Sequence, residues 1–130
     1  MLSKEPIKIS ASTICNNISL EKAYNYSGIV RSGYLSVNKG NSVLAFTFYG
    51  KSDESDIGKL NNYPTIIWLN GGPGSSSQFG NLNELGPLWV VRSIIGSGLQ
   101  IKRNNQSWAN NYNLLFVDQP VGTGLSYADP

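Results

Sequence analysis

Thr65-Ile-Ile-Trp-Leu-Asn-Gly-Gly-Pro-Gly-Ser-Ser-Ser-Gln78 joins a strand-forming run to a glycine-rich turn and then to a helix start. The first five residues are apolar or β-branched with little alternation, which predicts a short strand buried on both faces. That run breaks off at Asn70-Gly-Gly-Pro-Gly74. Ser75 to Gln78 then fits a capping box, with Ser75 at the N-cap and Gln78 at N3. Phe79, Leu82 and Leu85 follow at helical spacing, and Gly86-Pro87 stops the helix. Glycines between a strand and a helix let a ligand approach the backbone amides closely, and unpaired N–H groups at a helix start favour negative charge. No Gly-Lys-Ser/Thr follows, so this is not a P-loop, and the spacing fails the dinucleotide fingerprint. Two readings of the turn stay open: an oxyanion hole for acyl transfer, and a plain structural turn.

Outward from this segment the chain reads as β-rich. Gly28 to Val37 and Ser42 to Tyr49 flank a turn containing Gly40 and predict an antiparallel hairpin, with Leu44, Phe46 and Phe48 on one face. Gly50 to Tyr63 is expected to be a solvated loop. Its Asp53, Glu54 and Asp56 lack the spacing of an EF-hand. Leu88 to Ile101, with Gly96-Ser-Gly98, predicts a second hairpin. Leu114 to Val117 is a further short buried strand, ending in Asp118-Gln-Pro-Val-Gly-Thr-Gly124. Both apolar runs, Ile66–Leu69 and Leu114–Val117, read as central strands without neighbours inside this chain. Residues 1–26 form a polar lead segment with one short helix expected around Leu20 to Tyr24.

Composition narrows the chemistry. The 130 residues contain no histidine, so a Ser-His-Asp triad, a histidine base and an HExxH zinc site are excluded within them. A single cysteine, Cys15, excludes an internal disulfide and a cysteine-rich metal site. The net charge of +2 is scattered, which argues against a nucleic-acid or anionic-membrane surface. No apolar run is long enough for a transmembrane span, and no apolar core of a signal peptide is visible near the N-terminus. Asn17, Asn25 and Asn105 each open an Asn-x-Ser acceptor triplet for N-glycosylation.

Several motifs stand together in order: Trp68-Leu-Asn-Gly-Gly-Pro-Gly-Ser-Ser-Ser77, Asn83-Glu-Leu-Gly-Pro87, Ser107-Trp108, and Leu115-Phe-Val-Asp-Gln-Pro-Val-Gly-Thr-Gly-Leu-Ser-Tyr127. With Ser32-Gly-Tyr-Leu35 and Phe46-Thr-Phe-Tyr49 upstream, residues 27 to 128 resemble the serine carboxypeptidases. The resemblance implies an α/β class chain, the N-terminal part of an α/β-hydrolase fold over residues 27–130. It comprises the hairpin, central strands, oxyanion-loop turn and helix. It implies a hydrolase that removes C-terminal residues from peptides and proteins without a cofactor, in vacuoles, lysosomes or outside the cell. By the same resemblance the Gly72 amide is one oxyanion donor, a group that supplies about 3–4 kcal/mol to the transition state. Asn70 and the Gly71 amide hold the substrate's terminal carboxylate, Glu84 hydrogen-bonds that recognition group, and Trp68 buttresses it. For Trp68 alone, a plain core aromatic is the rival reading.

The chain departs from the family pattern in places. Ser75 stands where a disulfide-bonded cysteine is common, and no nucleophile elbow with its partner Asp and His precedes Pro130. Gly124-Leu-Ser-Tyr-Ala128 imitates the Gly-x-Ser-x-Gly elbow, but turn-rich sequence replaces the strand that must precede it, so Ser126 reads as structural. Asp118 reads as structural too, hydrogen-bonded to the glycine-rich loop. The rival functions are another α/β-hydrolase such as an esterase, and a non-catalytic β-rich binding module. Asn70 in place of the histidine of a His-Gly-Gly loop disfavours the first. The 130-residue chain on its own is therefore expected to release no amino acid from peptide C-termini; release by the purified chain, with contaminating protease excluded, would contradict this.

Overall fold

The computed structural model describes residues 24–37, 42–94 and 96–128. The expected helix at Leu20–Tyr24 falls almost wholly outside them, as do Cys15, Asn17 and the Gly40 turn. The strands are β1 (Val30–Val37), β2 (Ser42–Tyr49), β3 (Thr65–Trp68), β4 (Leu88–Arg92), β5 (Leu99–Arg103), β6 (Asn113–Val117) and β7 (Tyr127–Ala128). One helical turn, α1 (Gln78–Gly80), widens into a π-type turn over Asn81–Leu85. Short 3₁₀ turns cover Ile57–Asn62 and Trp108–Asn110. A mixed sheet with few helical turns is compatible with the α/β class.

The main sheet runs β1-β2-β6-β3, with β7 also paired to β2. β1 and β2 are antiparallel from Val30↔Tyr49 to Val37↔Ser42, the expected hairpin. β6 lies antiparallel to β2 and parallel to β3, with Thr65 opposite Asn113 and Trp68 opposite Phe116. β4 and β5 form the second expected hairpin as a separate sheet. The central position of β6 corrects the expectation that it lacks neighbours. β3 is the edge strand among the described residues. Its expected burial on both faces is not met: Ile66 and Trp68 pack inward, while Ile67 is 61% exposed and Leu69 52%.

The core lies on the face of the sheet that receives Ile66 and Trp68. Tyr26, Tyr49, Ala109, Leu114 and Phe116 form its buried centre, with Val30 and Leu85 packed against them. Tyr49 meets Tyr26 and Phe116 edge to face, at centroid separations of 5.9 and 6.2 Å. Tyr26 is buried because its hydroxyl finds a partner, donating to the Gly50 carbonyl at 2.6 Å, while Arg103 stacks over its ring. On the other face, Phe46, Phe48 and Leu115 line an open groove with Ile57, Leu60 and Tyr63.

Two buried asparagines join the strands to the loops. Asn113 donates from Nδ2 to Leu60 O, Tyr63 O and Thr65 Oγ1, and accepts from Lys51 N at Oδ1, so it closes the 50–64 loop onto β6. Asn104 donates to Glu84 O and Gly86 O and fixes the end of the π-type turn.

Burial, and then the neighbouring Tyr49, push the Tyr26 phenol well above its ordinary range. The folded state thus holds the neutral phenol while an unfolded tyrosine ionises near pH ~10. Tyr26 contributes stability that is fully present below that pH and is lost as pH rises beyond it. Tyr26→Phe should cost about 1–3 kcal/mol at pH 7 by orphaning the Gly50 carbonyl. Its deficit against wild type should shrink above pH ~10. Denaturant midpoints at both pH values check this; a deficit that stays constant contradicts it.

Candidate functional site

The glycine-rich turn projects from the C-terminal end of β3. Because β3 and β6 run parallel, that end lies beside the C-terminal end of β6, and the segment Val117–Gln119 holds the turn from both sides. On the near side Gln119 Nε2 donates to Asn70 O at 3.2 Å. On the far side Ser77 Oγ donates to Val117 O at 2.5 Å and accepts from Asn70 N at 3.1 Å. Asp118 accepts from Ser77 N at 2.7 Å and from Ser76 Oγ at 2.8 Å. Asp118 thus bonds to the glycine-rich segment as the sequence led one to expect.

Ser76, not Ser75, supplies the hydroxyl that accepts from the start of α1. Gln78 N donates to Ser76 Oγ, Ser77 is the residue before α1, and Ser75 is exposed, so the Ser75–Gln78 capping box does not form. The Ser77 hydroxyl is already committed to Val117 and Asn70. The helical spacing of Phe79, Leu82 and Leu85 also holds only in part: Leu85 packs on the core, whereas Phe79 is 55% exposed.

Trp68 and Asn70 are brought together. Trp68 Nε1 donates to Asn70 Oδ1 at 2.6 Å, and Trp68 meets Trp108 edge to face at 6.4 Å. An indole N–H can only donate, so it fixes the Asn70 amide with Oδ1 toward Trp68 and leaves Nδ2 as a donor for another group. Gly80 makes room for this pair: a methyl group there would overlap Trp68 Nε1 and lie 2.9 Å from Asn70 Oδ1.

Gly71 and Gly72 are exposed, and their amides donate to no other group among the described residues. Gly72 has φ +138° and Gly74 φ +90°, conformations that suit glycine. A Cβ on Gly72 would lie 3.2 Å from both Gly74 N and Ser75 N, inside a concave turn of backbone amides. Glu84 is not part of this cluster. It is exposed, its carbonyl accepts from Trp89 Nε1 and Asn104 Nδ2, and no hydrogen bond joins its carboxylate to Asn70 among the described residues.

Ser126 is buried, with Oγ donating to Asp118 O at 2.6 Å and accepting from Ala45 N at 2.8 Å, which occupies the hydroxyl in structural bonds. Asp53, Glu54 and Asp56 do not converge. Asp53 accepts from Ser27 and Asp56 caps the 3₁₀ turn through Gly58 N. Among the described residues no cluster of three His, Cys, Asp or Glu side chains could hold a metal ion. None of their helices is long and apolar enough to cross a membrane.

The family model for serine carboxypeptidases matches residues 23–130. The chain belongs to the serine carboxypeptidase family. The "Pheromone-processing carboxypeptidase kex1" of Schizosaccharomyces japonicus is 45% identical over 105 residues, which is 80% of this chain and 18% of that protein. The "Vacuolar serine-type carboxypeptidase ATG42" of Saccharomyces cerevisiae is 40% identical over 98 residues, 75% of this chain and 17% of its own length. The "Serine carboxypeptidase-like 33" of Arabidopsis thaliana is 41% identical over 100 residues, 75% and 19%. The chain thus spans less than a fifth of the length of these relatives.

Sequence reasoning picked out Trp68, Asn70, Gly71 and Gly72 and missed Ser76, Ser77, Gly80 and Gln119, which hold them. Gly80→Ala should therefore destabilise the protein by about 1–3 kcal/mol through overpacking and shift the Trp68 emission as the Asn70 bond breaks. Thermal unfolding and tryptophan fluorescence check it; unchanged stability and emission would contradict the packing.

Proposed function

We propose that this chain is the N-terminal portion of an α/β-hydrolase domain in a serine carboxypeptidase that cleaves the C-terminal peptide bond of peptides and proteins. The observation that carries the reading is the open Gly71–Gly72 backbone, whose amides are unpaired while the residues on either side of it are tied to β6 and Trp68. In this reading a serine from outside the 130 residues attacks the scissile carbonyl, with a histidine and an acid also from outside taking and returning its proton. The Gly72 N–H donates to the oxyanion that forms, and the amide after the nucleophile gives the second donor. The substrate's terminal carboxylate accepts from Asn70 Nδ2 and the Gly71 amide. Glu84 joins this recognition group in the complete protein. No cofactor takes part.

In the same reading the polypeptide beyond these residues covers Ile67 and Leu69, and the domain begins before the expected residue 27, since Tyr26 stands in its core and the family match opens at residue 23. The compartment is a vacuole, a lysosome or the exterior, the first of these in keeping with the name of the vacuolar relative from Saccharomyces cerevisiae. The exposed Asn25 and Asn105 are then available as glycan acceptors.

The test uses the full-length protein and matched peptide acids and amides. Gly72→Ala should lower kcat about 100-fold with a much smaller change in KM, because the oxyanion exists only in the transition state. Glu84→Ala should raise KM for peptide acids more than for amides, which carry no terminal charge. Wild-type kcat in a folded Gly72→Ala variant removes the oxyanion assignment. Equal responses of acid and amide remove Glu84 from carboxylate recognition.

A further inference from the structure

We infer that Asp118 is a positioning residue for the Gly72–Ser77 limb of the loop, a role that rests on the function proposed above. Its carboxylate is fully buried, and the one ion pair among the described residues joins Lys59 to Asp56, so no cation offsets it. It is held instead by donors from two separate segments. Oδ1 accepts from Ser77 N and Ser76 Oγ, on the limb that follows Gly72. Oδ2 accepts from Leu125 N at 3.0 Å, on the turn that follows β6. The Asp118 backbone is itself fixed, with N donating to Ala45 O and O accepting from Ser126 Oγ.

The fit is close. Gly124 has φ +56°, and a Cβ on it would overlap the Asp118 carboxylate and lie 2.8 Å from Ser76 Oγ. Burying a carboxylate without a cation costs stability, and a neutral side chain could anchor the turn without that cost. A carboxylate offers what a neutral group does not: acceptor sites on both oxygens, and charge-assisted bonds that are shorter and stronger. It therefore fixes the distance between the two segments from its place between them. The Asn70 end has bonds of its own besides the one from Asn70 N to Ser77 Oγ: it accepts from Trp68 Nε1 at Oδ1 and from Gln119 Nε2 at its carbonyl. Loss of the Asp118 bonds should consequently displace the Gly72 amide and leave the Asn70 end in place.

The experiment uses the full-length protein, with active sites titrated and thermal unfolding recorded for each variant. Asp118→Asn keeps the size but turns an N–H toward one of the three donors. It should lower kcat about 10–100-fold. KM should stay within about threefold and the acid-over-amide preference should be unchanged. The inhibition constant of a peptide phosphonate should rise by the same factor as kcat falls, as for a group acting on the transition state. Ser76→Ala, which removes one donor from a half-buried position, should act in the same direction and add nothing in the Asp118→Asn background. Wild-type kcat and phosphonate affinity in Asp118→Asn overturn the inference. If that variant does not fold, the same result in Ser76→Ala overturns it. A rise in KM with kcat unchanged overturns it too. If Gly72→Ala also leaves kcat intact, the function proposed above fails and this inference with it; a fall in Gly72→Ala alone sinks only the role of Asp118.

Discussion

The parallel pairing of β3 with β6 is the constraint on which the loop geometry depends. A parallel ladder places the C-terminal ends of both strands at the same edge of the sheet. Asn70 therefore leaves β3 beside Val117, Asp118 and Gln119, and those residues bond to both ends of the turn. An antiparallel partner in the same position would have put the end of β6 at the far side of the sheet. β2 pairs with β6 on its other side and supplies Ala45, which ties down Asp118 and Ser126 through its backbone.

The turn itself is held by its neighbours and not by its own bonds. Gly72 and Gly74 take positive φ, and the Gly71 and Gly72 amides stay unpaired because they face solvent and lose nothing by burial. Order comes from the committed side chains around them: Trp68 on Asn70, Ser77 on Val117, Asp118 on Ser76 and Ser77. The edge-to-face contact of Trp68 with Trp108 connects the turn to the 3₁₀ segment that also supplies buried Ala109 to the core. In the function proposed, donors held this way need little rearrangement when charge develops on a substrate.

Much of this was legible in the sequence because the signals were local. Both hairpins follow from β-rich runs around turn residues, and the abrupt change at Leu69–Asn70 marks where a strand gives way to a glycine turn. The family motifs pointed to Gly72, Asn70 and Trp68 together. The capping box does not form because any of three adjacent serines can offer a hydroxyl to the helix start, and the distant Val117 and Asp118 decide which hydroxyl goes where. The burial of β3 was overestimated because an apolar run shows that a face can be covered, not that a partner is present to cover it. Gly80 was passed over since a glycine inside a helical pattern gains its meaning from the indole packed on it, a contact that spans the turn. Glu84 illustrates the same limit: its motif was clear, but its place relative to Asn70 depends on a π-type turn that helical spacing does not anticipate.

The proposed function requires this turn to present the Gly72 amide to an oxyanion and the Asn70–Gly71 pair to a terminal carboxylate. A crystal structure of the full-length protein with a bound peptide phosphonate tests it most directly, since the phosphonyl oxygen stands in for the oxyanion. That oxygen should lie about 3 Å from Gly72 N, with the inhibitor's carboxylate accepting from Asn70 Nδ2 and Gly71 N. A phosphonate bound with its oxygen turned away from Gly72, or with its carboxylate held by other residues, would contradict it.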